Sequence, residues 1–253
     1  MTPLIDATEM YLRTIWELEE EGITPIRARI VERLGLSAPA VSETVGRLET
    51  EGLVHLADDR TLELSEEGRR IAQSVMRKHR LAERLLTDVI GLDWGLVHNE
   101  ACRWEHVISD AVERRLVAIL GSPTACPHGN PIPGLSQDGG AEAGSTELVS
   151  LTQAARAGGR ATVRRISEKL QSDVEVMELF DAKGLHPGAE VSVGHDGLGV
   201  AVTVVARADG GGPAGSGAAF ALDEDAAALV YVTAPAAAGA VAVGADAGMA
   251  GRG

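Results

Sequence analysis

The feature that most constrains this chain is a change of period along it. Up to about residue 120 the apolar residues recur every three or four positions, and from residue 146 they alternate in short runs. A 3.6-residue period builds helices and a two-residue period builds strands, so the two parts require different architectures. The fold class expected is α+β.

Start and stop signals divide the helical part. Asp6 can cap a first helix, and Glu9 three residues on completes a capping-box pattern. Tyr11, Leu12, Ile15 and Leu18 share a face, and the acidic run Glu19-Glu20-Glu21 leads into Gly22. Thr24-Pro25 predicts a second start, with Ile26, Ile30 and Leu34 before Gly35 breaks it. Ser37 caps a third helix carrying Val41, Val45 and Leu48, which Gly52 stops. Residues 53–56 and 61–64 flank Ala57-Asp58-Asp59-Arg60 as strand, turn, strand. Helices joined by a short Gly-containing turn, then a hairpin, form the winged helix-turn-helix pattern, expected over residues 1–64.

Residues 65–134 are expected to be all-α. A long helix opens at Ser65-Glu66-Glu67 and runs to about Ile90 before Gly91; others are expected over about 94–109 and 110–120. The stretch from Asn130 to Gly144 is rich in Gly and Pro and aperiodic, the character of a linker, which we place at 135–145. Residues 146–232 read as a small β-barrel with alternating runs at 161–164, 190–193 and 200–204, one helix over 170–183 and a loop over 210–217. The Ala- and Gly-rich tail, 233–253, is expected to be disordered.

Charge and composition exclude several classes. Lys plus Arg total 23 against 37 Asp plus Glu, a net charge of −14, so the chain is not a uniformly basic nucleic-acid binder. Three Trp, two Tyr and two Phe leave the cores to aliphatic residues. No apolar run approaches a membrane span of about 20 residues, and no secretory signal opens the chain. Cys102 and Cys126, without a C-x-x-C, fit a reducing cytoplasm.

Two clusters carry chemistry. His79 and Glu83 are four apart on the long helix; Cys102, Glu105 and His106 stand at i, i+3 and i+4, with His98 one turn earlier. Imidazole, thiolate and carboxylate converging from helices suit a divalent transition metal. Taken singly, a His–Glu pair at i, i+4 is usually a solvated face and a lone helical Cys is usually packed core; the convergence of several such groups within 28 residues is what points to a metal. A metalloenzyme would need a general base in a recognisable motif, and none accompanies the cluster.

The segments Met76-Arg77-Lys78-His79-Arg80-Leu81-Ala82-Glu83-Arg84-Leu85-Leu86 and Glu100-Ala101-Cys102-Arg103-Trp104-Glu105-His106-Val107 closely resemble the diphtheria toxin repressor family. So do Thr8-Glu9-Met10-Tyr11-Leu12-Arg13-Thr14-Ile15 and Gly129-Asn130-Pro131-Ile132-Pro133-Gly134. The resemblance is dense over residues 1–134, loose beyond, and nearest in type to actinobacterial iron-dependent regulators.

That resemblance implies an N-terminal winged helix, a helical dimerisation and metal-binding domain and a C-terminal SH3-like barrel. It implies an Fe²⁺-activated, non-enzymatic repressor of iron-homeostasis genes, binding palindromic operator DNA as a homodimer, with two dimers per operator admitted. It implies two metal sites per chain: a primary one at Met10, Cys102, Glu105 and His106, and an ancillary one at His79, Glu83, His98, Glu168 and Gln171. Arg80 and Asn130 correspond to anion-binding positions. The thioether and thiol favour Fe²⁺ over Mn²⁺; Co²⁺, Ni²⁺, Mn²⁺ or Zn²⁺ substitute in vitro.

By the same resemblance, Ser37 and Pro39 face base edges, while Arg27, Ser42, Thr44, Arg47 and Arg60 contact phosphates. Residues 22–50 hold four Arg against three Glu, a thin positive footprint. Glu43 stands where relatives carry Gln, which predicts an altered operator preference, and Cys126 stands where relatives carry a Ser of the anion site. A winged-helix regulator answering another metal or signal at an altered operator is the alternative reading.

Overall fold

The computed structural model describes residues 6–135, 148–195, 197, 199–206 and 219–234. The expected loop over 210–217, most of the linker and nearly all of the tail lie outside them.

The first unit contains α1 (Ala7–Glu20), α2 (Arg27–Leu34), α3 (Ala38–Thr50), β1 (Val54–Leu56) and β2 (Leu62–Leu64). Asp6 caps α1 by accepting from the Thr8 and Glu9 amides, and Ser37 caps α3 by accepting from Ala40. Val41, Val45 and Leu48 of α3 pack with Leu12, Ile15 and Ile30 into an aliphatic core. The antiparallel strands pair Val54 with Leu64 and Leu56 with Leu62. One boundary differs from expectation. Helix α2 begins at Arg27 and not at Thr24-Pro25, because the Pro25 carbonyl accepts from the Leu62 amide at 2.7 Å and ties that segment to the wing.

The second unit contains α4 (Glu66–Leu85), α5 (Val97–Trp104) and α6 (Asp110–Ile119). A π-helical turn, Leu86–Ile90, carries α4 on to Gly91. The helix expected over 94–109 is shorter: Trp94–Leu96 is a 3₁₀ turn, and α5 stops at Trp104. The Glu105 amide still bonds the Ala101 carbonyl at 3.0 Å and Ile108 bonds Trp104 at 3.1 Å, so helical register persists through His106. The aperiodic stretch is packed where it begins: Asn130 and Ile132 are buried, and Pro131 bridges to Ala125.

The third unit contains β3 (Leu148–Ser150), α7 (Leu151–Ala157), β4 (Gly159–Ile166), α8 (Glu168–Gln171), α9 (Val174–Lys183), β5 (Glu190–His195), β6 (Val200–Ala206), β7 (Phe220–Leu222), α10 (Glu224–Ala228) and β8 (Val230–Thr233). Its six strands pair antiparallel in the order β3-β8-β4-β5-β6-β7 around an aliphatic core. The single expected helix is two, α8 and α9, broken where Asp173 caps α9. Helices α7 and α10 were not expected; Ser150 and Gln153 close a full capping box on α7. Among the described residues no helix is long and apolar enough to cross a membrane.

Candidate metal centre

Helix α4 is the shared wall of the centre. His79 and Glu83, one turn apart on it, are fully buried. Helix α5 brings His98 and Cys102; the short α8 brings Glu168 and Gln171 from the third unit. His79, Glu83, His98 and Glu168 offer ligand atoms within 4.8 Å of one another, and so do His79, His98 and Cys102.

The bonding around these atoms tests whether a cation fits. Glu83 Oε2, His98 Nδ1, Glu168 Oε2 and Gln171 Oε1 are buried without hydrogen-bond partners. Yet His98 Nδ1 lies 3.2 Å from Glu168 Oε2 and 3.4 Å from Glu83 Oε1. The groups approach without aligning for hydrogen bonds. A buried polar atom left unsatisfied costs roughly 1–3 kcal/mol, so unpaired atoms on Glu83, His98 and Glu168, three members of one close group of ligands, fit a shared cation. Gln171 donates from Nε2 to the Ile166 carbonyl at 2.8 Å, and its buried Oε1 has no hydrogen-bond partner.

The neighbouring cluster is engaged differently. Arg13 of α1 places Nη1 2.7 Å and 2.6 Å from the two Glu105 oxygens and 3.5 Å from Cys102 Sγ. His106 Nδ1 meets Glu9 Oε2 at 2.6 Å, and Nε2 lies 3.1 Å from Glu105 Oε1. Thus Glu9 serves His106 from the first turn of α1. Met10 is half-buried against the core of the first unit, and its carbonyl accepts from Thr14. His79 joins the two clusters, with Nδ1 2.6 Å from Glu105 Oε2 and Nε2 3.1 Å from Glu83 Oε1.

Electrostatics follow this packing. Burial opposes ionisation of Glu105, but Arg13 and then His106 and His79 hold it far below the usual carboxylate range. Burial likewise opposes ionisation of Glu83, which its histidine neighbours nevertheless hold low. Burial works against a charged His98, and Cys102, Glu168 and Glu83 raise its pKa well above the ordinary value. Burial opposes the Cys102 thiolate, but Arg13 and His98 pull its pKa well down. The interior carboxylates and the Cys102 thiolate are thus balanced by charged imidazoles, His79 included, so a divalent cation binds here by displacing protons from His79 and His98.

The comparisons with known proteins fit this construction. Residues 3–62 match the iron-dependent repressor N-terminal DNA-binding domain, and residues 65–134 match the iron-dependent repressor metal-binding and dimerisation domain. Over 197 residues the chain is 56% identical to the iron-dependent repressor IdeR of Mycobacterium tuberculosis, covering 76% of this chain and 86% of that protein. The chain belongs to the iron-dependent repressor family. It is similarly 52% identical over 199 residues to the diphtheria toxin repressor of Corynebacterium diphtheriae, covering 76% of this chain and 86% of that protein. A solved manganese-dependent transcriptional repressor in complex with manganese superposes with a TM-score of 0.73 at 31% identity, covering 90% of this chain and all of that one. Membership makes this chain a metal-binding, DNA-binding, dimerising repressor and not an enzyme.

The remaining expected residues are placed as follows. Ser37, Pro39, Ser42, Glu43, Arg47 and Arg60 are exposed, and Arg27 and Thr44 half-buried. Arg47 is paired with Glu51 at 2.9 Å and contacts Thr8. Arg80 is fully buried and already satisfied: Nε donates to Glu168, Nη1 and Nη2 to Glu20, and Nη1 to the Pro131 carbonyl. Asn130 donates to the Ile166 carbonyl. The positions expected to hold an anion thus hold protein groups, with the Glu168 carboxylate on Arg80.

Sequence reasoning missed Arg13, Glu9 and His128. Arg13 was signalled by its i+3 spacing from Met10. His128 was signalled by standing two residues from Cys126.

Proposed function

We propose that the chain represses iron-homeostasis genes in the cytoplasm when Fe²⁺ fills two sites per chain. The observation that carries this is the set of unpaired, buried donor atoms where α4, α5 and α8 meet. His79, Glu83, His98, Glu168 and Gln171 would hold the ancillary ion; Cys102, Glu105, His106 and Met10 the primary one. Bound metal supplies positive charge to neutralise the carboxylates and a bond from the DNA-binding unit to the helical unit. A thioether and a thiol among the donors favour Fe²⁺ over Mn²⁺.

The protein's own residues make such a site responsive. Glu9, Met10 and Arg13 lie on α1, which also packs against α4. Whatever Glu105 and His106 bond to therefore sets how the first unit sits on the second, a two-state arrangement that a ligand can bias. Helix α3 presents Ser37, Pro39, Ser42 and Glu43 outward from its buried Val41, Val45 and Leu48. That face reads the major groove, with Ser37 and Pro39 at base edges and Arg27, Thr44, Arg47 and Arg60 at the backbone. Exposed Val89, Ile90, Val107, Val112 and Ile119 give the second unit its apolar dimer face, and two such dimers occupy one operator.

Anaerobic fluorescence anisotropy on a palindromic iron-box duplex tests the reading, with chelator, Fe²⁺, Co²⁺, Mn²⁺ or Zn²⁺ present. Tight binding is expected only with Fe²⁺ or Co²⁺, and Met10→Ala is expected to lose it. Equal binding in chelator, or full metal-dependent binding by Met10→Ala, overturns the switch. Preference for Mn²⁺ overturns the metal assignment alone.

A further inference from the structure

The loop that follows α6 carries two donors that neither candidate site uses. Cys126, His128 and Glu83 are all buried, and their ligand atoms lie within 4.8 Å of one another. Both ring nitrogens of His128 are buried with no hydrogen-bond partner. Its Nδ1 lies 3.4 Å from Glu83 Oε1, and Glu83 Oε2 is unpaired as well. A packed, inert thiol would account for Cys126 but leaves the imidazole unexplained, since an interior imidazole normally bonds through at least one nitrogen.

The backbone holds this pair in place. Cys126 N donates to the Asn130 carbonyl at 2.9 Å, and Gly129 N to the Cys126 carbonyl at 3.0 Å. The His128 carbonyl accepts from Ile166 N at 3.0 Å, while the Asn130 amide donates to the Ile166 carbonyl. Gly129, at φ +86°, passes so close to β4 that a Cβ there would lie 2.0 Å from the Arg164 carbonyl oxygen. Trp94 packs on the imidazole with ring centroids 4.7 Å apart. Cys126 and His128 are therefore presented from a turn clamped between the second and third units.

We propose that Glu83, Cys126 and His128 form a third metal-binding position in each chain, for a borderline divalent ion of the Zn²⁺ or Co²⁺ type. Thiolate, imidazole and carboxylate are the donors such ions take, and three protein ligands leave a fourth place open. Glu83 is the group shared with the neighbouring cluster, with one oxygen 3.1 Å from His79. Occupancy would fasten the turn at Cys126–Asn130, and through Ile166 the third unit, to α4.

The test uses the full-length Cys102→Ser protein, in which Cys126 is the one remaining cysteine. This variant leaves the proposed position untouched. Anaerobic titration with Co²⁺ is expected to develop thiolate-to-cobalt charge-transfer absorption. Cys102→Ser/Cys126→Ser is expected to lose that band and one equivalent of Zn²⁺ in equilibrium dialysis. Cys102→Ser/His128→Phe is expected to bind that equivalent about tenfold or more weakly. Far-UV circular dichroism and dimer mass verify the folding of the double variants. Absence of the band in Cys102→Ser overturns the proposal whatever the double variants do. A band without a lost equivalent also overturns it, because Cys126 would then be serving the ancillary ion.

Discussion

The two candidate clusters of the established family reading sit side by side on α4 and are held in opposite ways. Glu83, His98, Glu168 and Gln171 each keep one buried donor atom unpaired, Oε2, Nδ1, Oε2 and Oε1 respectively. Around Cys102, Glu105 and His106 every donor is engaged, with Arg13 on Glu105 and Cys102 and with Glu9 on His106. The first cluster joins α4 and α5 of the second unit to α8 of the third, and ligand atoms already gathered within 4.8 Å lower the cost of taking up a cation. The second has an internal cation, Arg13, set against its carboxylate. A metal there must compete with the first unit, so sensitivity to metal concentration belongs to that cluster and rigidity to the other.

The largest effect is expected where the clusters touch. His79 bonds Glu105 through one nitrogen and Glu83 through the other. His79→Ala should weaken metal-dependent operator binding by about 100-fold or more, since it removes a ligand from one cluster and an orienting partner from the other. Isothermal titration calorimetry should show both metal affinities falling. One affinity left intact would separate the clusters and break the comparison at its joint.

Much of this centre was legible because helices advertise their faces. His79 with Glu83, and His98 with Cys102, show the four-residue spacing that places two side chains together, whatever surrounds them. Glu168 and Gln171 were legible only by resemblance, since α8 is a four-residue helix with no periodicity to read. Arg13 illustrates the harder limit. Its i,i+4 pair with Glu17 looks like a solvated helix face, but α4 and α5 bury it against Glu105. Burial of a charged side chain is decided by what packs over it, and a local window holds none of that information. The same reason explains the α2 boundary, where Thr24-Pro25 is a good local start overruled by the distant Leu62 amide. Helix α7 was a different failure, since Ser150 and Gln153 spell its capping box in the sequence.

A middle-sized effect should sharpen the rigid side of the comparison. Glu168 accepts from Arg80 at 3.0 Å through one oxygen and offers the other to the cluster. Glu168→Gln keeps the shape and removes the charge. It should lower ancillary metal affinity by about 10- to 100-fold while changing primary affinity less than about threefold. Limited proteolysis in saturating metal should then cut sooner between the second and third units. An equal fall in both affinities would mean that the primary cluster also depends on the third unit, contrary to its bonding to α1.

The smallest effect has the opposite sign, which makes it the most discriminating. Arg13 competes with a metal for Glu105, and a charge-assisted hydrogen bond contributes about 1.5–3 kcal/mol. Replacing Arg13 by Met fills similar volume without the cation and relieves Glu105 and Cys102 of that competitor, leaving Glu105 its contacts with His79 and His106. Primary-site affinity should therefore rise by about tenfold, the equivalent of about 1.4 kcal/mol, with the ancillary affinity unchanged. The gain would be specific to the competitor, since loss of packing alone lowers affinity. Operator binding should then begin at a lower metal concentration, read by the same anisotropy assay. A loss of primary affinity in Arg13→Met, in a protein with unaltered circular dichroism, would show that Arg13 supports the metal geometry and does not oppose it. The contrast between a preformed and a contested cluster would then fail.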